Sequence, residues 1–305
     1  MPQEEKKQAP EGFEPSMFVN VEPIRLFDDL FYVGNRVVGI YILKTSQGLV
    51  LFEATDNPDA DEEVLQPGLK KLGLENENIL ALLITHGHFD HYLGAVKIQN
   101  RVGCQVGMSL EDTAYLSWAD ENMGPDIPRE LPRITRILKD GENLLYGDHC
   151  VYVMAAPGHT PGCLNFCFDV HDFGETHHVV MVGGYGVFGP GNYPDGEYPY
   201  GVQWAVDQAL LFASSCVKTW EFCKKNHCDV YMNPHPHLCA LIEHAEQNKG
   251  RKKGDANAFV IGAEGVRQWI LERFNVCIES AQKFTDIQVQ NVDCAHVSNP
   301  LYLSR

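Results

Sequence analysis

The segment Thr85-His86-Gly87-His88-Phe89-Asp90-His91 puts three imidazoles and a carboxylate within six residues. Imidazole nitrogen and carboxylate oxygen are the donors that zinc takes at short range in tetrahedral geometry. Side chains so close in sequence can fan toward two adjacent metal positions if their loop leaves the end of a strand. Two further histidines occur in matching places. His159 lies in Ala156-Pro157-Gly158-His159-Thr160-Pro161-Gly162, a tight turn after a strand, and His235 lies in Asn233-Pro234-His235-Pro236, again just after one. A loop that is merely rich in histidine would have no such companions. Metals about 3.5–4 Å apart can share a water and lower its pKa toward about 7, and they polarise a carbonyl and steady the developing oxyanion.

The surrounding chain supplies the strands that this chemistry needs. Ile79-Leu80-Ala81-Leu82-Leu83-Ile84 is a continuous apolar run, expected to be a strand buried on both faces that stops where the histidine cluster begins. A helix is expected from about Tyr92 to Arg101. Upstream, Leu30–Val33, Val37–Leu43 and Leu49–Phe52 are short β-branched and aromatic runs separated by turn residues. Asp61 to Leu72 carries Val64, Leu65, Leu69 and Leu72 at helical spacing before Gly73. A second set of strands is expected at Val151–Met154, Leu164–Asp169 and Val179–Val182. Then come a helix from about Trp204 to Lys225, a strand at Asp229–Met232 and a helix at Val266–Lys283. Two groups of strands, each with helices nearby, imply an α/β fold: a four-layered αββα sandwich. Residues 1–17 read as a flexible tail and residues 18–305 as one domain, with a long Gly/Pro/Tyr-rich loop at about 186–203.

Bulk properties exclude several function classes. The 305 residues carry a formal charge of −17, a field that repels nucleic acid and anionic membranes. Lys249-Gly250-Arg251-Lys252-Lys253-Gly254 is the one basic run and reads as a solvated loop. No apolar run is long enough for a membrane span, and the polar N-terminus has no signal core, so a cytoplasmic protein is expected. None of the ten cysteines forms a C-x-x-C pair, and buried free thiols are expected. The partner implied is a small-molecule substrate; the composition does not fix an oligomeric state.

Together, the HxHxDH segment, the GHTPG turn and the late strand-to-PHP segment resemble the metallo-β-lactamase superfamily, over about residues 24 to 285. Within it they look like the β-lactamase subclass with His/His/His and Asp/His/His metal sites. That resemblance implies a first metal on His86, His88 and His159 and a second on Asp90, His91 and His235. It implies two zinc ions, with iron or manganese as alternatives. Asp90 would then both bind the second metal and accept a proton from the nucleophile.

Two positions depart from the family pattern. Phe52-Glu53-Ala54-Thr55 stands where relatives often have Asp in an Ile-Asp-Thr-Gly-like phrase, and Glu53 is expected to do similar supporting work. Val182-Gly183-Gly184-Tyr185-Gly186 has Tyr185 where glyoxalase-like and lactonase relatives place a metal-bridging Asp. Tyr185 could give a catalytic hydrogen bond from its phenol, or it could pack at the strand end. Thr160 is expected behind the metals. His237 is expected in an exposed loop, and Tyr193, Tyr198, Tyr200 and Trp204 in a pocket wall or subunit contact. His149, His171, His177, His178, His227, His244 and His296 have no ligand spacing. The resemblance implies a dinuclear zinc hydrolase acting on an ester, thioester, lactone or amide. A β-lactamase is the narrower alternative, a metal-dependent oxidoreductase the different one, and a non-catalytic binding protein of the same fold a third.

Overall fold

The apolar runs conceal a period of two, and that period builds the layers. The computed structural model describes residues 14–122, 130–186 and 201–285, without the side chains of 117–122, 201–204 and 284–285. One sheet runs in spatial order through β1 (Ile24–Arg25), β2 (Leu30–Gly34), β3 (Gly39–Thr45), β4 (Gly48–Phe52), β5 (Ile79–Leu83), β6 (Gln105–Ser109) and β7 (Arg136–Leu138). It is antiparallel as far as β4 and parallel from β4 to β7. The second sheet holds β8 (Asn143–Tyr146), β9 (His149–Ala155), β10 (Leu164–Asp172), β11 (Glu175–Met181) and β12 (Val230–Met232) in the order β12-β11-β10-β9-β8. Only its β11–β12 pair is parallel.

Successive side chains of a strand face opposite ways. Tyr32, Tyr41, Leu43, Val50, Phe52, Ala81 and Leu83 therefore share one core with Val151, Val153, Phe166 and Phe168 of the facing sheet. Their neighbours Phe31, Val33, Ile40, Ile42, Leu49, Leu51 and Leu82 join a second core. That core is closed by helices that make the parallel crossovers. These include α1 (Gln66–Leu72), which supplies Leu69, and, beyond the short α2 (Phe89–Tyr92), α3 (Ala95–Val102), which supplies Ala95 and Ile98. The crossover from β6 to β7 begins in α4 (Leu110–Asn122), which adds Leu116. On the far side of the second sheet, α5 (Gly201–Lys225) and α7 (Gly262–Thr285) contribute Phe212, Trp220, Ile270 and Phe274 to the first core, and α6 (Leu241–Gln247) lies between them in sequence. Helix, sheet, sheet, helix is the αββα order expected.

Some expectations needed correction. The tail does not extend to residue 17, because Pro15–Phe18 forms a 3₁₀ turn and the Met17 carbonyl accepts the Arg36 N–H at 2.9 Å. Residues 1–13 lie outside the described residues, as do 187–200, which make up most of the expected long loop and include Tyr193, Tyr198 and Tyr200. Of Trp204 only the backbone, in α5, is described. The basic run is not wholly solvated: Arg251 pairs with Asp172 at 2.5 Å and lies over the Phe173 ring. All nine described cysteines are free, and all but Cys150 are buried. No described helix is long and apolar enough to cross a membrane.

Phe52 sits where the two sheets meet, stacked on Phe168 at 4.9 Å and tilted against Phe166 at 5.4 Å. Phe52→Ala removes a fully buried ring and should cost about 3–5 kcal/mol, read as a lowered urea midpoint. A midpoint within error of the parent would show that the sheets do not depend on this contact.

Candidate metal centre

The loop carrying the histidine cluster is gripped by both sheets. The Ile84 N–H makes the last bond along β6, to Gly107 O at 2.9 Å, and Thr85 then passes its carbonyl to the Leu164 N–H of β10 at 2.8 Å. The Thr85 N–H donates to Glu53 Oε1 at 3.0 Å. Glu53 is fully buried and holds φ at +69°, a left-handed backbone costing on the order of 1 kcal/mol. Its other oxygen, Oε2, accepts the His91 Nδ1–H at 2.8 Å. Glu53 therefore does the supporting work expected of it, fixing the first and last turns of the cluster at once.

Four of the six expected ligands are anchored from behind. His159 donates from Nδ1 to Gly186 O at 2.7 Å, and His235 from Nδ1 to Val37 O at 2.8 Å. His91 is held by Glu53, and His86 Nδ1 lies 2.9 Å from the Thr85 hydroxyl. Their inner nitrogens converge. His86 Nε2 is 3.0 Å from His88 Nδ1 and 3.1 Å from His159 Nε2. Asp90 Oδ2 is 3.5 Å from both His91 Nε2 and His235 Nε2. In each trio the donor atoms lie within 4.8 Å of one another, and the His86 and His91 rings, 3.9 Å apart, join the trios.

The electrostatics suit a cation better than a proton. Burial, reinforced by neighbouring imidazoles, holds His86 and His88 well below the usual histidine range and brings His159 to about 4. These rings thus carry no extra proton at neutral pH. Burial pushes Asp90 upward, but His91, His235 and His88 outweigh it and bring the carboxyl to about 2. Burial likewise works against a charged His91, yet Asp90 and Glu53 prevail and raise it. His91 Nε2 is buried without a hydrogen-bond partner. A buried ring nitrogen with no hydrogen-bond partner, facing Asp90 and His235, is a position a metal can take in place of a proton, and N₃ and N₂O donor sets fit zinc. A carboxylate behind a ligating histidine is the usual support for such a site.

Asp112 is the residue that sequence reasoning missed. It lies in the first turn of α4, its N–H capped by Ser109 Oγ at 3.1 Å, and is fully buried. Its Oδ2 accepts the Gly87 N–H at 2.8 Å and the Thr160 hydroxyl at 2.6 Å, and its Oδ1 accepts the Gly162 N–H at 2.6 Å. One carboxylate thus ties the HxHxDH loop to the GHTPG turn, and it gives Thr160 its place behind the first trio. A Cβ on Gly162 would lie 2.6 Å from the Asp112 backbone nitrogen and 2.1 Å from Ser109 Oγ, so any larger residue there would push α4 away from the turn. Burial pushes Asp112 above the usual carboxylate range even against those three donors. Asn165 and Asn233, equally unmarked in the sequence, hold the Gly183 N–H and the His235 N–H. The Ser109-to-Asp112 spacing signals a helix start and says nothing of the distant loop.

Tyr185 joins neither trio by any contact described. Its ring lies over the buried Arg273 guanidinium, 3.9 Å from centroid to Cζ, a cation–π contact. Gly184 is pressed against His159, where a Cβ would come within 2.6 Å. Among the described residues no carboxylate stands where a bridging Asp would. His237 is exposed, as expected, with its ring 5.6 Å from that of His235.

Such an arrangement can hold two cations side by side and present them to a substrate. Removing the carboxylates behind it tests that. Glu53→Gln and Asp112→Ala should each lower metal affinity roughly 10–100-fold, measured by chelator competition. Asp112→Ala also strands three buried donors and should cost roughly 3 kcal/mol or more in a urea titration. Parental metal affinity in both variants would mean that neither carboxylate orients the site.

The comparisons with known proteins agree with this geometry. The metallo-β-lactamase superfamily model matches residues 33–173. An uncharacterised protein of Mycobacterium leprae is 30% identical over 153 residues, covering 44% of this chain and 70% of that protein. The hydroxyacylglutathione hydrolase GloC of Haemophilus influenzae is 30% identical over 149 residues, 47% of this chain and 66% of that one. The chain therefore spans about two thirds of the length of these relatives. The subclass B3 metallo-β-lactamase BJP-1 of Bradyrhizobium japonicum superposes with a TM-score of 0.73 at 24% identity, covering 89% of this chain and 98% of that one. At that identity the likeness is one of fold. By fold, by family match and by the M. leprae relative, the chain belongs to the metallo-β-lactamase superfamily, whose members are metal-dependent hydrolases.

Proposed function

We propose that this chain is a dinuclear zinc hydrolase that cleaves an ester, thioester, lactone or amide bond in a small organic substrate. One observation carries the reading: two adjacent trios, His86/His88/His159 and Asp90/His91/His235, turn their donor atoms toward one another, with His91 Nε2 buried and lacking a hydrogen-bond partner. When bound, a pair of zinc ions supplies Lewis acidity toward the scissile carbonyl and lowers the pKa of a water. The chain's own residues do the rest. Asp90, ionised at any physiological pH, would hold the second ion and is placed to accept a proton within the site. Glu53 keeps the His91 ring oriented and the Thr85 turn in place, and Asp112 keeps the two ligand-bearing loops in register. Tyr185 acts through packing, holding the 183–186 segment on Arg273 so that Gly186 O can orient His159.

Both kinds of relative named above support acyl hydrolysis, one as a hydroxyacylglutathione hydrolase and the other as a β-lactamase. The lack of a carboxylate at Tyr185 separates this site from the bridged arrangement expected of glyoxalase-like enzymes. It fits the six-ligand subclass, which makes the β-lactam ring the first amide to test.

The test is hydrolysis by the zinc-loaded chain of a panel of esters, thioesters, lactones and β-lactams, nitrocefin included, with metal content measured alongside. Turnover of at least one class should be abolished by a chelator and restored by zinc. Asp90→Ala should lower it by at least roughly a hundredfold with the fold intact, whereas Tyr185→Phe should retain most of it. Undiminished turnover in Asp90→Ala would remove Asp90 from the chemistry. Stoichiometric iron with no hydrolysis of any class would favour the oxidoreductase reading instead.

A further inference from the structure

At the opposite end of the sandwich, three side chains without ligand spacing in the sequence come together. Asp29 precedes β2, His149 opens β9 and His171 lies near the end of β10. Asp29 Oδ2 is 3.0 Å from His149 Nε2 and 2.5 Å from His171 Nδ1, and the three donor atoms lie within 4.8 Å of one another. Leu164, where β10 begins, bonds Thr85 beside the metal centre. Seven residues of strand therefore separate the two places, about 23 Å at the rise of a β-strand.

We propose that Asp29, His149 and His171 form a third metal site, for a borderline divalent cation such as zinc, that pins the two sheets together. The donor set is two imidazoles and one carboxylate, the combination that selects zinc over magnesium or calcium. The carboxylate is already aimed, because its Oδ1 accepts the His171 backbone N–H at 2.9 Å and leaves Oδ2 facing both rings. His149 is oriented from behind, its Nδ1 being 2.9 Å from Asp148 Oδ1. Asp148 is held in turn by the Ser46 N–H at 2.8 Å. This is the carboxylate–histidine–metal relay that accompanies ligating histidines. His149 faces a carboxylate from each nitrogen; a neutral imidazole satisfies one of them with its single N–H, and the other nitrogen takes either a second proton or a cation. Asp29 and His149 are buried, while the His171 side chain is 42% exposed. A cation can therefore enter from solvent and keep a water as its fourth ligand.

Anomalous scattering at the zinc edge, from crystals of the full chain soaked in zinc, decides the matter. A peak should stand about 2.0–2.2 Å from Asp29 Oδ2, His149 Nε2 and His171 Nδ1. His171→Ala should lose that peak and one equivalent of bound zinc, with hydrolysis and the scattering at His86–His235 unchanged. If that variant folds poorly, His171→Asn serves the same purpose. No peak at saturating zinc, with the three side chains ordered as here, would overturn the proposal and leave a hydrogen-bonded Asp29–His149–His171 cluster. The two positions are read separately, so zinc at the central site, or its absence there, leaves the outcome at Asp29 unaffected.

Discussion

Five imidazoles and a carboxylate are crowded into one end of this molecule, and hydrogen bonds pulling outward keep them there. Glu53, Gly186 O and Val37 O each take the outer nitrogen of one ring, those of His91, His159 and His235. His159 and His235, whose burial depresses their proton affinity, then point their lone pairs inward. Each acceptor comes from a different stretch of chain, so the site exists only when the sandwich does. The buried Glu53 and Asp112 make the arrangement hard to lose. Either would be strongly unfavourable as a solitary charge in a core, and both are satisfied by donors that belong to the ligand-bearing loops.

The layered fold follows from the same requirement. A strand buried on both faces can end at an edge where its following loop meets the partner sheet, and β5 does so through Thr85, which touches Glu53 on one side and Leu164 on the other. The parallel arrangement of β4, β5 and β6 brings the loops that follow β4 and β5 to one edge, and the start of α4 after β6 with them. Glu53, the histidine cluster and Asp112 are all at such positions. From the second sheet, the turn after β9 and the segments after β11 and β12 bring His159, Gly186 and His235 to the same edge.

What the sequence made legible was chemistry that stays local. His86 to His91 read directly, and His159 and His235 read through their Pro/Gly surroundings after strands, because a strand end is recognisable from neighbours alone. Glu53 was visible only as a departure from a pattern. Asp112 was not visible at all: its partners Gly87 and Gly162 lie 25 and 50 residues away, and no periodicity encodes a bond across a sandwich. Tyr185 could be read two ways because its partner, Arg273, lies on a distant helix. His149 and His171 carry no sign of their neighbourhood for the same reason. They meet at Asp29, 120 and 142 residues away, with their rings 5.6 Å apart across the β9–β10 pair.

The charge around the centre runs opposite to the charge of the chain. The protein is strongly acidic, and the half-buried Asp90 and the buried Glu53 and Asp112 lie at the site. If the centre holds two divalent ions as proposed, three carboxylates do not neutralise them, and the filled centre would be locally cationic, with local charge logic inverted. The acidic exterior would weaken long-range attraction of an anionic substrate, while the centre would bind its carboxylate or developing oxyanion at close range. Selection by such a site rests on what happens within a few ångströms of Asp90 and His235. Stabilisation delivered there can favour the transition state over the free substrate, which is the condition for catalysis and not merely for binding.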